Sequence, residues 1–349
     1  MNRISNLIYF NNNRTTQIDK SVAEAMRLIE KSEQSKEEVT SKAKQQIGDL
    51  LNAASSEILF TSGTTESINL FIKGGFNFLK TKGKHVITNV TEHFATLDCL
   101  KELELEDAEV TRLGVDREGL IDLQEFRKAI KKDTIMVCLM AANNETGVIQ
   151  PVEEIAEICE ENGVLFFSDA SQFAGKVRCD TKEIGFSGIA FGAHKMYGPA
   201  GIGVLYIHQK YAELMDIIKH AYTQELSLAQ IAGFGLAAEI SSKNYWEDSA
   251  HISRLKNYFE HQLLDLQGLT INGSTRTRLY NTSNITFADS EKVILLKERF
   301  DFADNVKKPS YVLQSMGLNA EEIKNSFRFS FGKNNTLDEV KSFVEEMLR

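Results

Sequence analysis

The feature that most constrains the fold is a series of short strand-like segments that are apolar throughout rather than alternating. Residues 134–140 ("TIMVCLM") and 164–167 ("VLFF") have this form, and a helical pattern over residues 151–163 separates them. Continuous apolar runs are typical of strands in a parallel sheet, because helices cover both faces of such a sheet. The sequence therefore predicts a doubly wound α/β fold with a mostly parallel sheet.

The order of the patterns divides the chain into two predicted domains. Strand and helix alternate up to about residue 228, which predicts a large α/β domain over residues 11–228. A long helical pattern follows, then strand-like segments and a helix predicted over residues 291–300. This order predicts a smaller α+β domain formed by residues 229–349 together with residues 1–10. A chain of 349 residues is long enough for two such cores.

Composition and charge argue against several classes of partner. A net charge of −9 disfavours nucleic acid or an anionic membrane as the main partner. No apolar run reaches the roughly 18 residues of a membrane span, and the first residues lack the apolar core of a signal peptide. Four cysteines without CxxC spacing predict reduced thiols in the cytoplasm and no metal site.

Polar side chains follow five of the predicted strands. In an open α/β sheet, ligands bind beyond the carboxyl ends of the strands, so these residues are the candidates for a site. They are Thr64, Thr65 and Glu66; Glu92 and His93; Asn143, Asn144 and Glu145; Asp169 and Gln172; and His194 and Lys195. Because five strand ends carry hydrogen-bonding groups, we expect one ligand site at this edge.

The candidate residues suit one cofactor in particular. A desolvated lysine is a nucleophile toward carbonyl carbons, and Lys195 lies among glycines in residues 191–207, where a ligand can approach the backbone closely. A carboxylate such as Asp169 can hold a pyridine nitrogen protonated, and an imidazole such as His93 can stack on the ring. The set predicts pyridoxal 5′-phosphate bound to Lys195 as a Schiff base.

The remaining candidates suit the other groups of this cofactor. The helix that begins at Thr64 and Thr65 offers backbone N–H groups and hydroxyls to the phosphate, and His194 offers a further donor. Either Gln172 or Asn144 can form a hydrogen bond to the ring oxygen.

Five segments resemble the class V aminotransferase superfamily, in particular its cysteine desulfurase (NifS-like) branch. They are "TSGTTESINL", "VTEHFATLD", "NNETGVIQP", "SDASQFAGK" and "HKMYGPAGIGVLYI". The resemblance extends from about Ile8 to the last predicted helix. It implies the type I fold of pyridoxal phosphate-dependent transferases and a homodimer with active sites at the subunit boundary. It also implies a small amino acid as substrate.

The resemblance also implies a role for each matching residue. Lys195 corresponds to the Schiff-base lysine, Asp169 to the partner of the pyridinium nitrogen, and His93 to the stacking ring, which can also transfer protons. Arg328, in "FRFSFG", corresponds to the arginine that binds the substrate α-carboxylate, a group that guanidinium can bind through two hydrogen bonds. The phosphate contacts are Thr64, Thr65 and His194, and the contacts to the ring oxygen and to polar groups on the substrate side are Asn144 and Gln172.

Four departures from the branch's pattern affect the predicted activity. Residues 296–313, where the branch carries its nucleophilic cysteine, contain none. The glycine- and asparagine-containing loop after the first helix is missing from residues 26–39. Glu225 lies where a threonine would reach the partner's phosphate, and Gly192 replaces a serine. Since the Lys195 set is intact, the sequence predicts that cofactor binding is kept and sulfur transfer is lost or altered.

Three functions are compatible with these observations. The first is a pyridoxal phosphate-dependent transaminase or lyase that acts on a small amino acid through Lys195. The second is a cysteine desulfurase that uses another thiol, either Cys179 or Cys99. The third is a degenerate homologue that serves as a binding or assembly partner. A plain nucleotide-binding domain is disfavoured because no GxGxxG follows the first strand.

Overall fold

The computed structural model describes residues 7–222, 224–264 and 266–349. Residues 1–6, which were assigned above to the small domain and examined for a signal peptide, lie outside this range. The first part of the chain contains β1 (Ile8–Tyr9), α1 (Lys20–Ile29), α2 (Lys36–Leu51), β2 (Ile58–Thr61), α3 (Thr64–Leu79), β3 (His85–Asn89), α4 (Phe94–Leu105), β4 (Glu109–Leu113), α5 (Leu123–Ala129), β5 (Thr134–Cys138), α6 (Val152–Glu161), β6 (Leu165–Asp169), α7 (Thr181–Ile184), β7 (Gly188–Gly192), β8 (Gly203–Ile207) and α8 (Ala212–Ala221).

Seven of these strands form one sheet in the order β2-β8-β7-β6-β5-β3-β4. Strand β8 runs antiparallel to both of its neighbours, and the other pairs are parallel. Strands β5, β6 and β7 are buried along their whole length, because helices cover both faces of the sheet. The predicted doubly wound, mostly parallel sheet is confirmed.

Successive residues of the central strands serve two different cores. In β6, Phe166 packs into the core that includes Ile47 of α2, whereas Phe167 packs into the core formed with α3 and α4. The ring of Phe167 stacks on that of Phe71 with centroids 4.5 Å apart. This alternation explains why residues 164–167 are apolar at every position: each face of the strand meets a helix layer.

The rest of the chain forms a second sheet and its helices. Phe300, predicted as the end of a helix, lies instead in a two-residue strand that pairs with β1, so the helix is shorter than expected. The elements are α9 (Leu228–Leu263), β9 (Thr270–Ile271), β10 (Thr282–Thr286), α10 (Ser290–Leu295), β11 (Phe300–Asp301), β12 (Ala303–Asp304), α11 (Tyr311–Ser315), α12 (Ala320–Lys324), β13 (Ser326–Ser330) and α13 (Leu337–Leu348). Strands β12, β13, β10 and β9 pair antiparallel in that order.

Two segments connect the second sheet to the first part of the chain. Helix α9 packs against α1 and α2 as well as against α13. The amino-terminal segment pairs with β11, bridges Ser330 through Asn11, and then donates a hydrogen bond of 2.8 Å from Thr16 N to His194 O. The division at residue 228 stays a prediction, but residues 8–16 already join the second sheet to the candidate site.

No helix within the described ranges is both long and apolar enough to span a membrane.

Candidate active site

A cavity of about 500 Å³ lies at the carboxyl edge of the large sheet. It is lined by every residue to which the sequence analysis assigns a role in binding the cofactor or the substrate: Thr64, Thr65, His93, Asn144, Asp169, Gln172, His194, Lys195 and Arg328. Asp169 is the last residue of β6, and Lys195 lies in a 3₁₀ turn directly after β7. The residues of the large sheet meet because its parallel strands end at the same edge. Arg328 comes from β13 of the second sheet.

Lys195 is held at the floor of the cavity by main-chain carbonyl groups. Its Nζ donates to Asn13 O over 2.6 Å and to Arg14 O over 2.7 Å. Burial and the positive charge of Arg328 lower the pKa of the Lys195 amine to about 8, although the Asp169 carboxylate opposes this change. A pKa near 8 makes the neutral, nucleophilic amine accessible near physiological pH.

We therefore expect an amine-specific reagent to label Lys195 of the cofactor-free protein with a midpoint near pH 8. The labelling rate should rise with pH through this midpoint, because only the neutral amine reacts. Mass spectrometry of the peptide that contains Lys195 measures this rate. Asp169→Asn should lower the midpoint, since Asp169 raises the pKa, and Arg328→Gln should raise it. A wild-type midpoint near 10.5, the usual pKa of a lysine, would contradict the described environment.

Two asparagines near the amino terminus, Asn11 and Asn13, organise the floor of the site. Asn13 O accepts hydrogen bonds from both Lys195 Nζ and Gln172 Nε2, the latter over 2.9 Å. Asn13 Nδ2 donates to Asn144 O over 3.2 Å, and Asn11 Oδ1 accepts from Arg328. Sequence reasoning missed this segment. The only local signal was the run "NNN" directly after the first strand.

A second lysine, Lys176, lies buried next to the floor. Its Nζ donates to Gln172 Oε1 and, over 3.3 Å, to Asn13 Oδ1. Burial, together with the charges of Lys195 and Arg328, lowers the pKa of Lys176 far below its usual value. The amine therefore orients the amide of Gln172, whose Nε2 keeps a second N–H for a ligand in the cavity.

The opposite end of the cavity has the features of an anion site. Thr64 and Thr65 begin α3, and no side chain caps this helix, since its N-cap residue is Gly63. A Cβ placed on Gly192 would lie 2.9 Å from Thr64 Oγ1 and 3.1 Å from His194 Nδ1, so glycine leaves space between these donors. Helix starts with free N–H groups bind phosphate and other anions.

His194 is neutral in this environment. Burial of the imidazole lowers the pKa of His194 to about 4, and the positive charges of Lys195 and Lys176 contribute to this decrease. A neutral imidazole carries one N–H, and it can therefore donate a single hydrogen bond to an anion.

Replacing Gly203 by alanine should weaken anion binding at the start of α3. A Cβ at position 203 would lie 2.4 Å from the carbonyl carbon of Gly63 and would displace the turn that precedes the helix. We expect the affinity for pyridoxal 5′-phosphate to fall by about tenfold, with a loss of stability of about 1–3 kcal/mol. Absorbance titration and thermal unfolding measure these effects. Gly114→Ala, at a position with open space, is the control and should change neither.

Arg328 and Asn144 lie together on another wall. Arg328 donates from its two terminal nitrogens to Asn144 O over 2.9 Å and to Asn11 Oδ1 over 2.8 Å. Two buried polar atoms at this position, Asn144 Oδ1 and Arg328 Nε, have no partner in the described part of the chain. Buried groups of this kind are rarely left unpaired, so the wall is suited to a polar ligand.

Three strand-end residues have structural roles instead. The carboxyl of Glu92 is buried and accepts from Met140 N over 2.6 Å; burial raises its pKa. Asn143 Oδ1 accepts from Glu145 N over 2.8 Å and shapes the following turn. Glu145 accepts a hydrogen bond from Ser310 and lines a neighbouring cavity of about 260 Å³.

None of the four cysteines lines the main cavity. All four are buried and unpaired, and burial raises the pKa of both Cys99 and Cys179 to about 12. Neither thiol therefore has the exposure or the thiolate content of a nucleophile. Glu225 is exposed and does not line the cavity, so its predicted effect on a partner's phosphate stays a prediction.

A lysine, a carboxylate and two imidazoles at the carboxyl edge of such a sheet define a type I pyridoxal phosphate-dependent enzyme. The chain matches the family model described as aminotransferase class V over residues 8–343, and it belongs to this family. Pyridoxal 5′-phosphate is the family's cofactor.

The chain is similar to named relatives over most of its length. It is 40% identical over 328 residues to the cysteine desulfurase IscS of Neisseria meningitidis serogroup A, covering 90% of this chain and 81% of the relative. A solved structure of a NifS-like protein has a TM-score of 0.88 at 28% identity. The match covers 98% of this chain and 99% of the NifS-like chain. A structure of SspA in complex with cysteine has a TM-score of 0.81 at 28% identity. The match covers 94% of this chain and 100% of the SspA chain.

The residues of the cavity fit this cofactor. Lys195 offers the amine, Asp169 a carboxylate, and the start of α3 an uncapped set of donors beside the space that Gly192 leaves. Asn144 and Arg328, which carry the unpartnered Oδ1 and Nε atoms, belong to the same lining. Donors for the phosphate and groups for a substrate are therefore both present in one cavity.

Proposed function

We propose that this protein is a pyridoxal phosphate-dependent enzyme that acts at the α-carbon of a small amino acid through Lys195. The observation that carries the proposal is that one segment, residues 11–14, holds both the Lys195 amine and the Arg328 guanidinium. The Lys195 amine is bonded to the carbonyls of Asn13 and Arg14, and the Arg328 guanidinium is bonded to Asn11, two residues earlier. One short segment thus fixes the distance between an amine and a carboxylate-binding group.

Each side chain has a definite part in this proposal. When bound, pyridoxal 5′-phosphate withdraws electrons from the carbon that carries the substrate's amino group. The amine of Lys195, with its pKa of about 8, takes and returns the α-proton. Arg328 binds the α-carboxylate through two parallel hydrogen bonds and so orients the α-carbon toward Lys195.

Asp169 and His93 act on the ring of the cofactor. The Asp169 carboxylate is fixed because its Oδ1 accepts from Ser171 N over 2.9 Å. It would hold the pyridine nitrogen of the bound cofactor protonated. His93 Nδ1 accepts from Ala95 N over 3.1 Å at the start of α4, which fixes its imidazole on the cavity lining, where it would stack on the ring of the bound cofactor. The second ring nitrogen of His93 is available for proton transfer.

A second candidate function is desulfuration of L-cysteine. It is favoured by the similarity to the cysteine desulfurase IscS and to SspA, whose structure contains cysteine. Since burial keeps Cys99 and Cys179 protonated, the sulfur acceptor would be an added thiol. With a dithiol, cysteine would give alanine and sulfide while the dithiol is oxidised to its disulfide.

Product analysis separates these functions. The protein is loaded with the cofactor, its visible absorbance is recorded, and amino acids are screened for alanine, keto acids, ammonia and sulfide. Transamination gives a keto acid without free ammonia, elimination from cysteine gives pyruvate with ammonia and sulfide, and desulfuration gives alanine with sulfide. If a variant in which all four cysteines are replaced no longer releases sulfide, a thiol of the protein itself is the sulfur acceptor. No visible band and no turnover would favour the third function, a degenerate binding or assembly partner.

Two further expectations belong to this proposal. The family resemblance implies a homodimer with active sites at the subunit boundary, and light scattering in solution tests it. The four unpaired cysteines suit the reducing cytoplasm, which is the location that we expect.

A further inference from the structure

Arg14 lies at the cavity beside the residues that hold the substrate. It lines the same cavity as Arg328 and Lys195. Its main chain is fixed, because its carbonyl accepts from Lys195 Nζ over 2.7 Å and its N–H donates to Asn11 O over 2.9 Å. The Cα of Arg14 therefore has a defined position next to the reactive amine, and its side chain is exposed.

The guanidinium of Arg14 differs from that of Arg328 in having no protein partner. Arg328 donates to Asn144 O and to Asn11 Oδ1. Within the described residues, Arg14 has no ion pair, and its guanidinium donates no hydrogen bond. Its positive charge nevertheless contributes to lowering the pKa of Arg328, so the two guanidinium groups interact. The N–H groups of the Arg14 guanidinium are thus available to a ligand.

The charges of the cavity leave this cation uncompensated. The carboxylates on the lining are Glu66 and Asp169. Glu66 accepts hydrogen bonds from Ser62 and Tyr222, and Asp169 accepts from Ser171 N. Glu145 and Asp301 lie outside the lining and act on Arg328. An α-carboxylate bound at Arg328 would therefore still leave the Arg14 guanidinium without an anionic partner. A second anionic group on the substrate would neutralise it.

We propose that Arg14 binds the side-chain carboxylate of a dicarboxylic amino acid, while Arg328 binds its α-carboxylate. This inference rests on the proposed function and specifies its substrate class. Guanidinium pairs with a carboxylate through two hydrogen bonds, and one pair of this kind discriminates strongly against a neutral isostere. The amide analogues asparagine and glutamine have nearly the same shape as aspartate and glutamate, so comparison within these pairs isolates the charge.

The first test uses the cofactor-loaded enzyme and these matched substrates. We expect kcat/KM for L-aspartate or L-glutamate to exceed that for the corresponding amide by about tenfold or more. Arg14→Ala should reduce this ratio by about tenfold, mainly through KM, and Arg14→Lys should retain part of it. Added salt should also reduce the wild-type ratio, because a partly exposed charge pair is screened. Arg117→Ala, which removes an exposed guanidinium outside the cavity, should leave the ratio unchanged.

The second test needs neither turnover nor the cofactor. Calorimetry on the cofactor-free protein compares succinate with butyrate, which differ by one carboxylate. Succinate should bind more tightly to the wild type, and Arg14→Ala should abolish the difference. Equal binding of the two acids, or an equal loss for acidic and amide substrates in Arg14→Ala, would overturn the inference. Turnover of neutral amino acids with no acidic preference would overturn it while leaving the proposed function intact.

Discussion

Replacing Lys195 by alanine should abolish the visible absorbance of the bound cofactor and lower turnover of any amino acid substrate by about 10⁴-fold or more. The proposed function assigns two tasks to this amine, which holds the cofactor and moves the α-proton. Among the described residues, Lys195 is the only lysine on the cavity lining, and the buried Lys176 is turned toward Gln172 and Asn13 instead. Absorbance spectra and steady-state kinetics measure both losses.

Two further variants separate lost chemistry from lost structure. Lys195→Arg keeps the positive charge and the donors for Asn13 O and Arg14 O, but guanidinium is always protonated and is no nucleophile. It should therefore be as inactive as the alanine variant. Methylamine should restore part of the activity of Lys195→Ala, because it supplies an amine in the space that the side chain vacates. Lys210→Ala, an exposed lysine outside the cavity, should behave as wild type. Persistence of the band in Lys195→Ala would refute the assignment.

The candidate site was predictable from the sequence where it depends on strand ends. Apolar strands such as β6 and β7 are recognised by composition, and the residues directly after them share one edge of the sheet for geometric reasons. Asp169 and Lys195 could thus be assigned to one site although 26 positions separate them. This logic also included Glu92 and Asn143, whose side chains form internal hydrogen bonds instead, because a strand end fixes the position of a residue but not the direction of its side chain.

The floor of the site could not be predicted in this way. Asn13 contacts Gln172, Lys176 and Thr282, and these partners lie more than a hundred positions away in the sequence. Such contacts leave no periodicity in the segment itself. The same cause explains Phe300: its local pattern is helical, but pairing with Ile8 and the aromatic core of the second sheet determine its conformation.

Replacing Arg328 by lysine should lower kcat/KM by about 10²-fold or more, chiefly by raising KM. The guanidinium is oriented before substrate binds, because Asn144 O and Asn11 Oδ1 each accept a hydrogen bond from one of its two terminal nitrogens. A lysine ammonium keeps the charge but cannot present two parallel N–H groups to a carboxylate, and it is too short to reach both protein acceptors. The variant should therefore bind the cofactor normally while it binds amino acids weakly.

A substrate analogue without the α-carboxylate shows whether this loss comes from the proposed contact. Wild type should bind an amino acid far more tightly than the amine that lacks its carboxylate, as read from shifts in the absorbance of the bound cofactor. In Arg328→Lys and Arg328→Gln most of this difference should disappear, whereas binding of the amine itself should change little, since the amine makes no contact that the substitution removes. If both ligands lose affinity equally, Arg328 supports the wall through Asn144 and Asn11 rather than binding the carboxylate.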